Sequence, residues 1–220
     1  MSELFADRRE AGTALGKALL ALRLPGPILV LALPRGGVPV GAAIARVLHA
    51  PLGLLLVRKI GAPGQPELAV AAVAEGTPPE IVIDAEVQAL TGADARYIEA
   101  TAQRELIEIA RRQQVYRQGR GAPDVAGRTV IVVDDGIATG STMRAALKAV
   151  RRQRPALLVM AVPVAAADTL RAMRNEADHV VCLAQPSPFH AVGLHYADFH
   201  QVDDDEVLAA LQDAARARLL

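Results

Sequence analysis

Most of the chemistry legible in this sequence sits in thirteen contiguous residues, Val130-Ile131-Val132-Val133-Asp134-Asp135-Gly136-Ile137-Ala138-Thr139-Gly140-Ser141-Thr142. Four β-branched residues run straight into two adjacent acids. Carboxylates at the end of an apolar run are costly unless they are used or solvated. Gly136 and Gly140 let the backbone turn with its N–H groups exposed, and Thr139, Ser141 and Thr142 add hydroxyls just before a helix. The free N–H groups and dipole of a helix N-terminus bind anions. Together these groups suit a phosphorylated sugar: the turn cradles the phosphate, and Asp134 and Asp135 accept hydrogen bonds from vicinal hydroxyls. No Lys follows the second glycine, so this is not a nucleoside-triphosphate loop, and the dinucleotide pattern G-x-G-x-x-G is absent here. The plainer alternative is a strand–turn–helix junction with an acidic N-cap pair.

Two further apolar runs end in basic residues. Ile28–Leu33 leads into Pro34-Arg35-Gly36-Gly37, and Leu54–Val57 into Arg58-Lys59. Taken alone, the first is a turn and the second a solvated pair. Gly61-Ala62-Pro63-Gly64-Gln65-Pro66 then reads as a mobile loop, flanked by Glu67 and Glu75. Either acid could serve as a general base, although a solvated loop acid is the simpler reading.

These residues need elements to hold them. Ser2 to Leu22 has helical spacing of Leu15, Ala18, Leu19 and Leu22, stopped by Pro25-Gly26-Pro27. Strands are predicted at Ile28–Leu33, Leu54–Val57, Ile81–Ile83, Thr129–Val133, Leu157–Val162 and His179–Leu183. Helices are predicted at Val40 to Leu48, Thr142 to Arg152, Ala166–Ala177 and Asp205 to Leu219. Residues 84–119 read as a helical insertion, with Ile98, Ala102, Leu106 and Ile109 on one stripe, a Glu108–Arg112 pair and Gly119 at its end. Strands alternating with helices imply an α/β fold with a mostly parallel sheet covered on both faces. Such sheets bind ligands beyond the carboxyl ends of their strands, where the acids and bases above fall.

The chain has 220 residues, and 24 Lys+Arg balance 24 Asp+Glu. That balance and the 3% aromatic content argue against general nucleic-acid binding. The single cysteine, Cys182, permits no intramolecular disulfide. With no apolar run long enough to span a bilayer and charges at Asp7 to Glu10, the expectation is a soluble cytoplasmic protein. His190, His195 and His200 recur every five residues near Cys182, a spacing that does not place them on one helical face. No metal ligand is directly assigned. Asp203 to Glu206 reads as charge at a helix N-terminus, and Arg111, Arg112 and Arg117 as a solvated face or a subunit contact.

The segment Val130–Thr142 resembles the phosphoribosyl-pyrophosphate (PRPP) signature of type I phosphoribosyltransferases at all thirteen positions. The resemblance implies a Rossmann-like, mostly parallel sheet in a single domain over residues 1–220, and a small hood over residues 184–204. It also implies Mg2+-PRPP as donor, transfer of ribose 5-phosphate to a nitrogen base with release of pyrophosphate, and a homodimer. On this reading Asp134 and Asp135 hold the ribose hydroxyls, and Gly136, Ala138, Thr139, Gly140, Ser141 and Thr142 surround the 5-phosphate. Arg35, Gly36 and Gly37 resemble the family's pyrophosphate loop. Arg58 and Lys59 resemble the basic pair that reaches pyrophosphate in adenine and orotate phosphoribosyltransferases, with the following loop closing over the site. Catalytic roles fall to Asp134, Asp135, Arg35 and Lys59. Phe189 and Tyr196 are the rings available to stack on an acceptor. Phe5-x-Asp7-Arg8-x-x-Ala11-Gly12, Val57 to Pro63 and Phe189-x-Ala191-Val192-Gly193 resemble a bacterial subgroup with a helical insertion and no assigned acceptor. Gln65 and Ala71 depart from it, where Asn and Gly are expected. A PRPP- or nucleotide-sensing regulatory protein on the same fold, and a phosphoribosyl hydrolase or phosphorylase, are the rival functions.

Overall fold

A computed structural model describes residues 4–118 and 121–216. In chain order the elements are α1 (Arg8–Ala21), β1 (Ile28–Ala32), α2 (Gly37–Leu48), β2 (Leu52–Leu54), β3 (Val57–Ala62), β4 (Gln65–Ala74), β5 (Glu80–Ile83), α3 (Ala85–Thr91), α4 (Ala95–Arg117), β6 (Thr129–Val133), α5 (Ser141–Arg152), β7 (Leu157–Val164), α6 (Ala167–Met173), β8 (His179–Ala184) and α7 (Asp204–Arg216). Ser2, Gly119 and Leu219, where the sequence begins or ends helical stretches, lie outside the described residues.

Five strands form one sheet in the order β2-β1-β6-β7-β8. Every pairing in it is parallel. The unbroken apolar runs follow from burial on both faces, since alternate side chains of a strand point opposite ways. In β6, Ile131 and Val133 pack with Leu15 and Leu19 of α1 and Ile44 of α2. Val130 and Val132 pack with Met143 and Leu147 of α5 and Leu170 of α6. The expected α/β architecture with a mostly parallel sheet is the one observed.

The second sheet, β3-β4-β5, is antiparallel, and here the sequence reading needs correcting. Leu54–Val57 is not one strand: the chain leaves β2 at Leu54, and a new strand starts at Val57. Arg58 and Lys59 therefore lie within β3 rather than at a strand end. Gly61 to Pro66 is no free loop but the end of the β3–β4 hairpin, with Gly64 in the left-handed region at φ +74°. Strand β4 is rich in alanine, which is depleted in strands. Its small side chains let helices approach. Ala72 and Ala74 meet Ala145 and Ala149 of α5, while Ala71 and Val73 share a core with Ile98, Ala102 and Ile109 of α4. Helices α3 and α4 fall within the expected insertion, each capped by an aspartate, Asp84 and Asp94.

The first helix also starts later than its pattern suggests. Asp7 is its N-cap and accepts the Glu10 N–H. Residues before it pair with the segment after β8: Ala197 N–H donates to the Phe5 carbonyl at 2.9 Å and Asp198 N–H to that of Ala6 at 2.8 Å. The segment before α1 and the segment after β8 thus build one cap beside the sheet. Among the described residues no helix is long and apolar enough to cross a membrane.

Candidate active site

Strands β1 and β6 are hydrogen-bonded neighbours, so the loops leaving their carboxyl ends lie side by side. Between them opens a cavity of about 390 Å³ whose wall includes Arg35, Gly36, Asp134, Asp135 and Thr142. Residues 100 positions apart in the chain meet because two parallel strands end together. A Cβ on Gly36 would stand 2.1 Å from Asp135 Oδ2, so only glycine permits this approach. Gly37 opens α2 directly behind it.

The loop after β6 is held at its flanks and open at its crown. Ile137 N–H donates to the Val164 carbonyl at 2.9 Å, and Thr169 Oγ1 donates to the Ala138 carbonyl at 2.6 Å. Gly140, at φ +79°, is the N-cap of α5 and supplies no side-chain cap. An α-helix leaves its first N–H groups without intrahelical partners, so the start of α5 presents free donors beside Ser141 and Thr142. Ala138 and Thr139 are exposed at the crown, and Gly136 joins the crown to the acids.

The two acids are unequal. Asp135 Oδ2 accepts from Arg8 Nε at 2.8 Å, whereas Asp134 Oδ1 accepts only the adjacent Asp135 N–H, at 2.9 Å. Burial, then the neighbouring Asp135 charge, lifts the Asp134 carboxyl well above its ordinary range. Burial also raises Asp135, with Arg8 pulling the other way. A carboxyl raised on folding contributes its stability in full below its unfolded value and loses it as pH rises through the folded value. Ionising this pair therefore costs the fold stability, and the cost grows as pH rises. Asp134→Asn is expected to raise Tm at pH 7 by about 2–4 °C for each kcal/mol released, and to leave it nearly unchanged at pH 3. Thermal melts at the two pH values check this.

The basic pair of β3 is divided. Arg58 Nε donates to Glu105 Oε2 of α4 at 2.7 Å, on the side away from the cavity. Val57 lines the cavity, and alternation puts Lys59 on the face of Val57. Arg35 lies 3.7 Å from Asp204 at the start of α7. Arg117 is not on a solvated face but pairs with buried Glu75. That removes Glu75 from the candidates for a general base, while Glu67 stays exposed on β4.

The expected stacking rings are engaged elsewhere. Tyr196 is 4% exposed, lies between Phe5 and Phe199, and donates its hydroxyl to the Asp135 carbonyl at 2.5 Å. Phe189 packs on His195. The ring that borders the cavity is Phe199, accompanied by Arg8 and His200, none of which the sequence reading placed in the site. The Phe5-x-Asp7-Arg8 pattern was the available signal for Arg8. His195 is buried, which lowers its pKa. His200 lies between Glu206 and Asp198, which raise its pKa. Burial raises the Cys182 thiol. Among the described residues no three His, Cys, Asp or Glu side chains are grouped to hold a metal ion.

A family model described as the phosphoribosyl transferase domain matches residues 25–198. The chain belongs to the phosphoribosyltransferase family. It is 44% identical over 214 residues to the Mycobacterium tuberculosis (strain H37Rv) protein named "Putative phosphoribosyl transferase Rv0571c", covering 97% of this chain and 48% of that protein. The chain thus spans about half the length of the curated relatives it matches. It is also similar to the crystal structure of TT1426 from Thermus thermophilus, at 44% identity and a TM-score of 0.80, covering 95% of this chain and 98% of that one. The family match takes in Arg35 to Lys59 and Asp134 to Thr142, whereas Arg8, Phe199 and His200 stand outside it.

Proposed function

We propose that this cleft binds Mg2+-PRPP and transfers its ribose 5-phosphate to a nitrogen base, releasing pyrophosphate. The observation that carries the reading is the pair of adjacent carboxylates beside the uncapped N-terminus of α5, faced by the Gly36 loop. The 5-phosphate sits on the free N–H groups of Ala138 to Thr142. Asp134 and Asp135 accept the ribose hydroxyls, orient the sugar, and offset positive charge developing near C1 as its bond to pyrophosphate breaks and the bond to nitrogen forms. Arg35 and Lys59 stabilise the departing pyrophosphate. The β3–β4 hairpin that carries Lys59 covers the reacting centre and limits water.

The donor set fits Mg2+ carried in on the substrate. Mg2+ keeps several waters and is held through one or two carboxylates plus substrate phosphates, and Asp134 and Asp135 supply the carboxylates. When bound it neutralises charge on the pyrophosphate. Calorimetry with Mg2+-PRPP tests the proposal. The wild type is expected to bind, and Asp135→Asn to bind about 10- to 100-fold more weakly, as loss of a charged hydrogen bond of ~1.5–3 kcal/mol implies. No binding by the wild type rejects the reading. Binding without PRPP consumption across a panel of bases points instead to a sensor.

A further inference from the structure

We propose that Arg8 is a positioning residue that aims Asp135 at the ribose hydroxyls, through a clamp built from the segment around α1's start and the segment after β8. The proposal rests on the reading of the cleft as a ribose-phosphate site. Arg8 belongs to the first turn of α1 and is 7% exposed. Its guanidinium is held on three sides. Nε donates to Asp135 Oδ2 at 2.8 Å, Nη1 donates to the His200 carbonyl at 2.9 Å, and its carbon lies 3.8 Å from the centre of the Phe199 ring. A planar fork that stacks on an aromatic face and donates in two directions is a task for arginine rather than lysine.

The clamp discriminates between the two acids. Asp134 makes no ion pair with Arg8 and leans on its neighbour's N–H, so only Asp135 has its carboxylate direction imposed from outside the loop. The Asp135 main chain is held as well, by the Tyr196 hydroxyl on its carbonyl. Arg8, Tyr196, Phe199 and His200 all belong to the cap formed where residues 4–6 pair with residues 195–198. Arg8 and His200 flank the span that the family model matches. The loop that carries Asp135 is thus oriented by a cap that joins the segment before α1 to the segment after β8.

The test separates sugar from phosphate recognition. Arg8→Gln and Arg8→Lys are compared with wild type by calorimetry, with ribose 5-phosphate and with inorganic phosphate as probes. Arg8 acts through Asp135, so ribose 5-phosphate affinity should fall about 10- to 100-fold in Arg8→Gln, the cost usual for removing a group that orients a metal ligand. Arg8→Lys keeps the charge but loses the fork, and a loss of several-fold is expected. Inorganic phosphate, held by the start of α5, should bind all three proteins equally, which also reports that the loop is folded. If Arg8→Gln fails to fold, the Arg8→Lys comparison decides. Unchanged ribose 5-phosphate affinity in the variants overturns the inference, and so does a parallel loss of both ligands. A wild type that binds phosphate but not ribose 5-phosphate rejects the functional reading itself, and the inference with it, before any variant is compared.

Discussion

Replacing Glu75 with alanine is expected to destabilise the fold by about 3–5 kcal/mol, the usual result of removing one partner from a buried ion pair. Glu75 follows the last residue of β4 with its side chain 8% exposed, against an Arg117 side chain 16% exposed. Oε1 accepts from Arg117 at 2.7 Å and from the Leu56 N–H at 2.9 Å. Oε2 accepts from Gln113 at 2.6 Å. Alanine would strand a cation, an amide and a main-chain donor at once, and unsatisfied buried donors are expensive. For a chain of this size the loss corresponds to a Tm lower by roughly 6–20 °C. Glu75→Gln, which can still accept from the Leu56 N–H but lacks the charge, should fall between the two. Thermal and denaturant unfolding of the three proteins measure this, and a Glu75→Ala melt within about 2 °C of wild type would refute it. The consequence reaches the cleft. Leu56 lies in the two-residue link between β2 and β3, so Glu75 fixes where the hairpin leaves the main sheet and ties it to α4. Helix α4 thereby helps place Val57 at the cavity, with Lys59 exposed two residues further along β3.

That network also shows where sequence reasoning stops. The parallel sheet was legible because strands buried on both faces leave continuous apolar runs, as in Thr129–Val133 and Leu157–Val164. The loop from Asp134 to Thr142 was legible because its parts are contiguous, so the chain itself guarantees that acids, glycines and hydroxyls lie together. Arg8 and Asp135 are 127 positions apart, and nothing local in either predicts the other. Glu75 looked like a loop acid because its three donors come from Leu56, Gln113 and Arg117. The hairpin was missed for a different reason. Polar Arg58 and Lys59 after an apolar run look like a strand end, yet here they lie on opposite faces within a strand, Arg58 paired to α4 and Lys59 exposed. Alanines in β4 hide its strand character, because their small size serves helix approach and not strand propensity. Tyr196 was read as a free ring because scarcity of aromatics says which rings exist, not which are already packed.

Gly36→Ala is the substitution expected to damage the cleft most directly. The added Cβ would lie 2.1 Å from Asp135 Oδ2 and 2.8 Å from its Cγ, well inside any van der Waals contact. One group must move. Asp135 is a short side chain held by Arg8 at the same oxygen, and its carbonyl is held by Tyr196, so it cannot swing clear without breaking the clamp. If the loop moves instead, Arg35 and Gly37 move with it, and Gly37 begins α2. Either relaxation costs stability, about 1–3 kcal/mol by analogy with overpacked interiors. Either also shifts a binding group by enough to lower Mg2+-PRPP affinity by ~100-fold or more. Gly121→Ala provides the control, since a Cβ there meets nothing within 4 Å, and should leave both quantities unchanged. Calorimetry and thermal melts on the two variants separate the outcomes. Wild-type affinity in Gly36→Ala would mean that Asp135 has freedom the clamp denies it. Lost affinity with a small drop in Tm is the expected pattern, because the loop and the carboxylate share one narrow gap and only glycine leaves it open.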